Sequence, residues 1–282
     1  MSDFLQSVNE LSPNFTHSQR VIADYLSENL DSVAFCTLEE MSGLIGVSTT
    51  TIIRFARALG YSGYSDMQKA IQANLKTKAS LPERLQRIEY INSTNTLLAD
   101  TFQQDLENMQ KTLAALNNED LEKAIDWASG APNVYVLGMR SSFSISYYLA
   151  TRLSEIRENI HLIQSVGMLY PEEIVSANEG DVCIAYMFPR YSKLSMTILT
   201  WLKEAGVKII LITSDDHAAV KNYGDIILPC AVSSISYKNS YSAPLSLANY
   251  LTAAIAQKDY EESQRVLKKT EEILNQGFYT HM

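Results

Sequence analysis

Residues 37–64, TLEEMSGLIGVSTTTIIRFARALGYSGY, constrain the fold of this chain more than any other stretch. Thr37 with Glu40 three residues on is a capping box, so a helix starts there. Met41, Leu44 and Ile45 follow at helical spacing, which predicts one buried face on a short helix. Gly46 ends it, because glycine alone turns left-handed without a steric cost. Val47 plugs the corner, and Ser48 is the N-cap of a second helix. On that helix Ile52, Phe55, Ala56 and Leu59 fall on one side, and Thr49, Thr50, Ile53, Arg54 and Arg57 on the other. A tight helix–glycine–helix is the bihelical DNA-binding unit. Hydroxyls at the start of its second helix (Ser48, Thr49, Thr50, Thr51) suit base edges in a major groove, and Arg54 and Arg57 suit phosphate or guanine.

Two amphipathic helices joined by glycine also occur in helical proteins that bind no nucleic acid, and charge weighs between the readings. Residues 48–80 hold five basic side chains (Arg54, Arg57, Lys69, Lys76, Lys78) against Asp66, net +4. Residues 1–47 hold Arg20 against seven acids, net −6, and the whole chain is −9. Positive charge therefore collects on and just after the second helix, as an electrostatic footprint on DNA requires. The patch is modest, so operator affinity would lean on dimerisation.

At 282 residues, two domains are expected, and 46% hydrophobic residues suffice for two cores. No run of eighteen apolar residues occurs, and the start MSDFLQSVNE is too polar for a signal peptide. Cys36, Cys183 and Cys230 are odd in number and widely spaced, so a reducing cytoplasm is the expected compartment.

The first 80 residues read as all-helical. Thr16 with Gln19 repeats the capping-box pattern ahead of Val21, Ile22, Tyr25 and Leu26, and Ser65 with Gln68 opens a last helix. Ser62, Gly63 and Tyr64 make a turn beside the second helix of the pair. There Ser62 and Tyr64 are placed to touch a phosphate, or the tyrosine packs the corner. LSPNFTHSQRVIADYL followed by TLEEMSGLIGVSTTTIIRFARALGYSGYSDMQKAI resembles the N-terminal domain of RpiR-type bacterial transcription regulators over residues 11–71. The resemblance implies a helix-turn-helix domain on operator DNA, acting as repressor or activator.

Polar residues 76–93, with Pro82, read as a linker. Two helical segments follow, LLADTFQQDLENMQKTLAAL and EDLEKAIDWASG, with charged faces expected in solvent. From Asn133 the period changes. NVYVLG, NIHLI, DVCIAYMF, VKIILIT and DIILP read as strands alternating with helices, which predicts a parallel sheet covered on both faces. Ligands in such folds sit outside the carboxyl ends of strands. Two junctions there combine serine hydroxyls with fixed positive charge: Arg140, Ser141 and Ser142 after the first strand, and Arg190, Ser192 and Lys193 after the third. Helix N-termini at both favour an anion, although serines there also serve as plain caps.

Residues 113–258 resemble the SIS (sugar isomerase) domain, which implies a flavodoxin-like fold that binds phosphosugars and, in such regulators, senses an effector. Where sugar-phosphate enzymes of that group carry SxSGxT, this chain has MFPRYSK. That keeps an anionic ligand while weakening its sugar character. The expected layout is a helix-turn-helix domain over 1–79, a linker and connecting helix over 80–112, the SIS domain over 113–258 and a C-terminal helix over 259–282. The partners implied are operator DNA bearing an inverted repeat, a small anionic metabolite and a second copy of the chain as homodimer or homotetramer, with no membrane.

The competing class is a sugar-phosphate isomerase or lyase with a helical accessory domain. It needs a general base: His161 and His217 lack evident partners, and Glu172 and Glu173 are the only acids to test, although such acids more often open a solvated helix. Asp215 and Asp216 lack a third ligand for a metal. No Walker, GxGxxG, HExxH or GxSxG pattern occurs. No catalytic residue, metal or cofactor is expected.

Overall fold

Buried side chains gather into separate cores on either side of residue 87, so the chain divides into a first unit, Met1–Arg87, and a second, Ile88–Met282. The computed structural model describes residues 4–33, 36–78, 81–82, 84–85, 94–215, 217 and 219–276. Of the linker read over 76–93, residues 76–78 instead end the helix Tyr64–Lys78, residues 81–82 and 84–85 are helical, and the others lie outside the described residues.

The first unit comprises α1 (Phe4–Leu11), α2 (His17–Val33), α3 (Leu38–Ile45), α4 (Thr49–Ala58) and α5 (Tyr64–Lys78). Both capping boxes form. Thr37 N donates to Glu40 Oε2 at 2.7 Å and Glu40 N to Thr37 Oγ1 at 3.2 Å, and Thr16 with Gln19 repeats the exchange ahead of α2. Ile22, Leu26, Met41, Ile52, Phe55, Met67 and Ile71 are fully buried in one core, and Phe15 meets the Phe55 ring edge-on at 5.4 Å. Leu44 departs from expectation, being 55% exposed. On so short a helix the core accepts a narrow stripe around Met41. Ile45 lies about 40° from that residue and Leu44 about 60° on the other side, so Ile45 takes the inner place.

The second unit comprises α6 (Thr94–Ala115), α7 (Asn118–Gly130), β1 (Val134–Gly138), α8 (Phe143–Ser154), β2 (Ile160–Ile163), α9 (Tyr170–Ile174), β3 (Val182–Met187), α10 (Lys193–Glu204), β4 (Lys208–Thr213), β5 (Ile226–Pro229), α11 (Ser242–Lys258) and α12 (Tyr260–Leu274). All five expected strands form, pair in parallel and lie in the order β2-β1-β3-β4-β5. Alternate residues of β1, β3 and β4 feed two cores. Val136, Ile184, Tyr186 and Ile210 pack under α7, α8 and α11, while Leu137, Ala185, Met187 and Leu211 pack under α9 and α10.

The boundary read at residue 112/113 falls inside α6, which is bonded to the rest of the second unit from Asp105 to Thr112. Polar Asn108 and Thr112 are buried, whereas Leu98, Phe102, Leu106 and Leu113 are more than half exposed. This inverts the expected solvated polar face. Asn108 Nδ2 donates to Ser233 O at 2.6 Å and Thr112 Oγ1 accepts from Ala231 N at 2.9 Å, so hydrogen bonds to a loop over a hundred residues away pull polar groups inward. The C-terminal helix expected over 259–282 is α12, with Ser263 and Val266 buried; residues 277–282 lie outside the described residues.

Candidate nucleic-acid interface and effector site

The turn between α3 and α4 forms as its residues dictate. Gly46 sits at φ 73°, a left-handed cap whose N–H, together with that of Val47, donates to Ser42 O. Ser48 caps α4: its Oγ accepts from Thr51 N at 3.2 Å and lies 2.8 Å from Thr51 Oγ1. Ile52, Phe55 and Ala56 fix the inner face of α4, leaving Thr50, Arg54 and Arg57 exposed beside exposed Ser48; Thr49 and Thr51 are half-buried. Six of the eight residues read from the sequence as DNA contacts thus share α4 and its cap.

The other two, Ser62 and Tyr64, are placed differently. Ser62 donates both its N–H and its hydroxyl to Asp66 Oδ2, at 3.0 and 3.2 Å. A phosphate at Ser62 would therefore meet a carboxylate. Tyr64 is corrected from phosphate contact to core residue. It is buried, and its hydroxyl donates to Cys36 O at 2.7 Å beside Gln68 Nε2 at 2.6 Å. Burial, with smaller contributions from the Cys36 thiol and from Glu40 and Glu39, pushes its phenol up to about 12. These bonds tie the entry to α3 onto α5.

In the second unit the chain leaves β1 toward β2 on one side and returns to β3 on the other, so the strand order reverses between β1 and β3. That reversal is where a doubly wound sheet opens a crevice. The register Gly138↔Tyr186 puts the ends of β1 and β3 side by side, and with them the two serine–arginine junctions. Gly138 permits the first junction, because a Cβ there would stand 2.6 Å from Ser142 O and 2.8 Å from Ser146 Oγ. Arg140 (φ 58°) and Arg190 (φ 71°) both adopt the left-handed conformation, which costs a non-glycine residue roughly 1–2 kcal/mol. Both are exposed.

The hydroxyls part company. Ser192 Oγ accepts from Ser195 N at 3.4 Å, the plain N-cap of α10, with exposed Lys193 opening the helix. Ser142 stands at the N-cap position of α8, but neither its hydroxyl nor that of Ser141 makes a cap hydrogen bond. The Ser141 and Ser142 hydroxyls lie 2.9 and 3.5 Å from the hydroxyl of Tyr241, whose ring packs on Phe188 of the second junction at 5.6 Å. Tyr241 therefore touches both junctions. Sequence reasoning missed it, since the residue stands a hundred positions away in the loop ahead of α11.

Three of the groups weighed for catalysis hold other partners. Glu173 Oε2 accepts from Gln164 N and Ser165 N, each at 3.0 Å. His161 stacks on Tyr135 at 5.0 Å and hydrogen-bonds Asn133 Oδ1 at 3.0 Å. His217 Nδ1 is 3.2 Å from Ser214 O, and Asp216 lies outside the described residues. Among the described residues, no three His, Cys, Asp or Glu side chains are grouped to hold a metal, and no helix is long and apolar enough to cross a membrane.

A family model described as the helix-turn-helix domain of the rpiR family matches residues 2–78, and one described as the SIS domain matches residues 129–256. The chain thus carries a helix-turn-helix domain of the rpiR family followed by a SIS domain. An uncharacterized HTH-type transcriptional regulator of Caldanaerobacter subterraneus is 26% identical to this chain over 285 residues, 98% of each. A protein of the same description from Haemophilus influenzae is 24% identical over 226 residues, covering 79% of this chain and 78% of that one. Among solved structures, the sugar isomerase domain of an RpiR transcription factor from Sphaerobacter thermophilus superposes with a TM-score of 0.60 at 22% identity, covering 63% of this chain and 99% of that one. The NanR protein of Vibrio vulnificus, complexed with ManNAc-6P, superposes with a TM-score of 0.58 at 19% identity, covering 96% and 97%. Both relatives are described as HTH-type transcriptional regulators, in keeping with the helix-turn-helix domain that this chain carries.

Proposed function

We propose that this protein binds operator DNA in the cytoplasm through α4, as a two-fold homo-oligomer. A small phosphorylated metabolite at the β1/β3 junction changes its operator affinity. The observation that carries the effector half is the pairing of the two strand ends at the reversal of strand order. There Ser141 and Ser142 hold hydroxyls that no helix cap consumes. Arg140, Arg190 and Lys193 supply positive charge around them, and Ser192 supplies the α10 N-terminus. That NanR of Vibrio vulnificus was solved with ManNAc-6P supports a phosphosugar.

For DNA, Ser48, Thr49, Thr50, Thr51, Arg54 and Arg57 are the contacts proposed, with Ser62 at the margin. One helix with a small basic patch leaves specificity to a second copy bound to the other half of an inverted repeat. The exposed apolar stripe Leu98, Phe102, Leu106 and Leu113 on α6 supports a second copy covering it.

A thermal-shift screen of phosphorylated sugars finds the effector by mass action. Operator affinity is then measured with and without the hit, at one salt concentration. Arg54→Ala should weaken operator binding by about 1–3 kcal/mol while the fold is retained. Unchanged operator affinity in Arg54→Ala refutes the α4 interface, and a hit that leaves operator affinity unmoved refutes the effector role.

A further inference from the structure

Tyr241 stands between the candidate effector site and α6. Its hydroxyl faces Ser141 and Ser142, and its ring rests on Phe188. The residues on either side of it are both tied to one carboxylate: Ser240 Oγ donates to Asp105 Oδ1 at 2.5 Å and Ser242 Oγ to Asp105 Oδ2 at 2.7 Å. Earlier in the same loop, Asn108 holds Ser233 O and Thr112 holds Ala231 N. Asp105, Asn108 and Thr112 are spaced by three and four residues, so they share one face of α6. The loop over 231–242 thus hangs from α6, the first described helix of the second unit.

We propose that Tyr241 is a further hydroxyl donor to the phosphate group of the effector, and that Asp105 passes the resulting shift of residues 240–242 to α6. The inference deepens the effector-site reading above and rests on it. A phosphate group offers only acceptors, so hydroxyls bind it by donating. Ser141 and Tyr241 now share a hydrogen bond that uses the proton of one of them. Two hydroxyls that both donate to one anion keep no proton for the bond between them, so the Tyr241 phenol must be repositioned when the anion arrives. Because the serines flanking it hold the two oxygens of a single carboxylate, residues 240–242 move as a unit with Asp105. A ligand acts through such a link only if it favours one placement over the other.

The test is hydrogen–deuterium exchange on the full chain with inorganic phosphate as probe, together with calorimetry. In wild type, phosphate is expected to slow exchange at residues 138–145 and 188–195 and to change it along α6. Tyr241→Phe, which keeps the ring on Phe188, should lose about tenfold or more in phosphate affinity. Asp105→Ala should bind phosphate as wild type does and lose the α6 response. Should Asp105→Ala not fold, the double variant Ser240→Ala with Ser242→Ala removes the same bonds from the other side, and the same loss is expected. Wild-type affinity in Tyr241→Phe, or a full α6 response in the Asp105 or double-serine variant, overturns the inference. Slowed exchange at 138–145 and 188–195 with none along α6 in wild type also overturns it, while leaving the effector site standing. No phosphate response at 138–145 and 188–195 refutes the site reading and this inference with it.

Discussion

Replacing Gly138 by alanine should damage the proposed effector site and the second unit together, by an amount the structure fixes. The new Cβ would stand 2.6 Å from Ser142 O and 2.8 Å from Ser146 Oγ. Ser146 cannot simply swing away, because it is fully buried and its hydroxyl donates to Phe143 O at 3.0 Å. The Ser142 oxygen is backbone, so relieving the clash means moving the start of α8 and the Ser141 and Ser142 hydroxyls with it. Overpacking of this kind costs about 1–3 kcal/mol. In a unit of this size each kcal/mol lowers the unfolding midpoint by about 2–4 °C, so the fall should be about 2–12 °C. Both tryptophans, Trp127 and Trp201, lie in the second unit, so their fluorescence in a thermal scan of the full chain reports that unit alone. Added phosphate should stabilise the variant less than wild type. A wild-type midpoint with full stabilisation by phosphate would show that the close approach of Gly138 to Ser142 is dispensable, and the argument for the first junction would fail.

Tyr64→Phe removes the bond to Cys36 O while Gln68 still satisfies that carbonyl; it should cost the first unit about 0.5–1.5 kcal/mol and leave operator affinity unchanged, as gel-shift titration at fixed salt would show. Asp181 is fully buried and accepts from Asn133 N, Asn133 Nδ2 and Asn178 N. Asp181→Ala orphans those donors, so the tryptophan-monitored transition should lose on the order of 3 kcal/mol. Phe102→Asp places a charge in the exposed stripe of α6, where Phe102 is 66% exposed. It should leave the unfolding midpoint of the isolated subunit unmoved and shift the mass seen by light scattering toward the monomer; an unchanged oligomer removes α6 from the subunit contact.

The sequence by itself determined what short-range rules govern. Thr37 with Glu40, Gly46 and Ser48 specify caps and a turn through bonds spanning a few residues, and each forms as read. The spacing of Ile52, Phe55 and Ala56 fixes which face of α4 is buried and so sends Arg54 and Arg57 outward. β1, β3 and β4 are apolar runs buried on both faces, β2 and β5 lie at the edges, and all five form as read. Adjacency of strands, inward or outward placement of single side chains, and bonds between distant segments were decided only by the tertiary structure. Nothing near Tyr64 announces Cys36 O, 28 residues away, and nothing near Ser141 announces Tyr241, a hundred residues on. The same holds for α6, whose polar residues 105, 108 and 112 turn inward because a distant loop offers them partners, while its leucines stay out. A hydrogen bond across such a separation depends on which strands became neighbours, and that order is set by packing of the whole sheet rather than by any local run of residues.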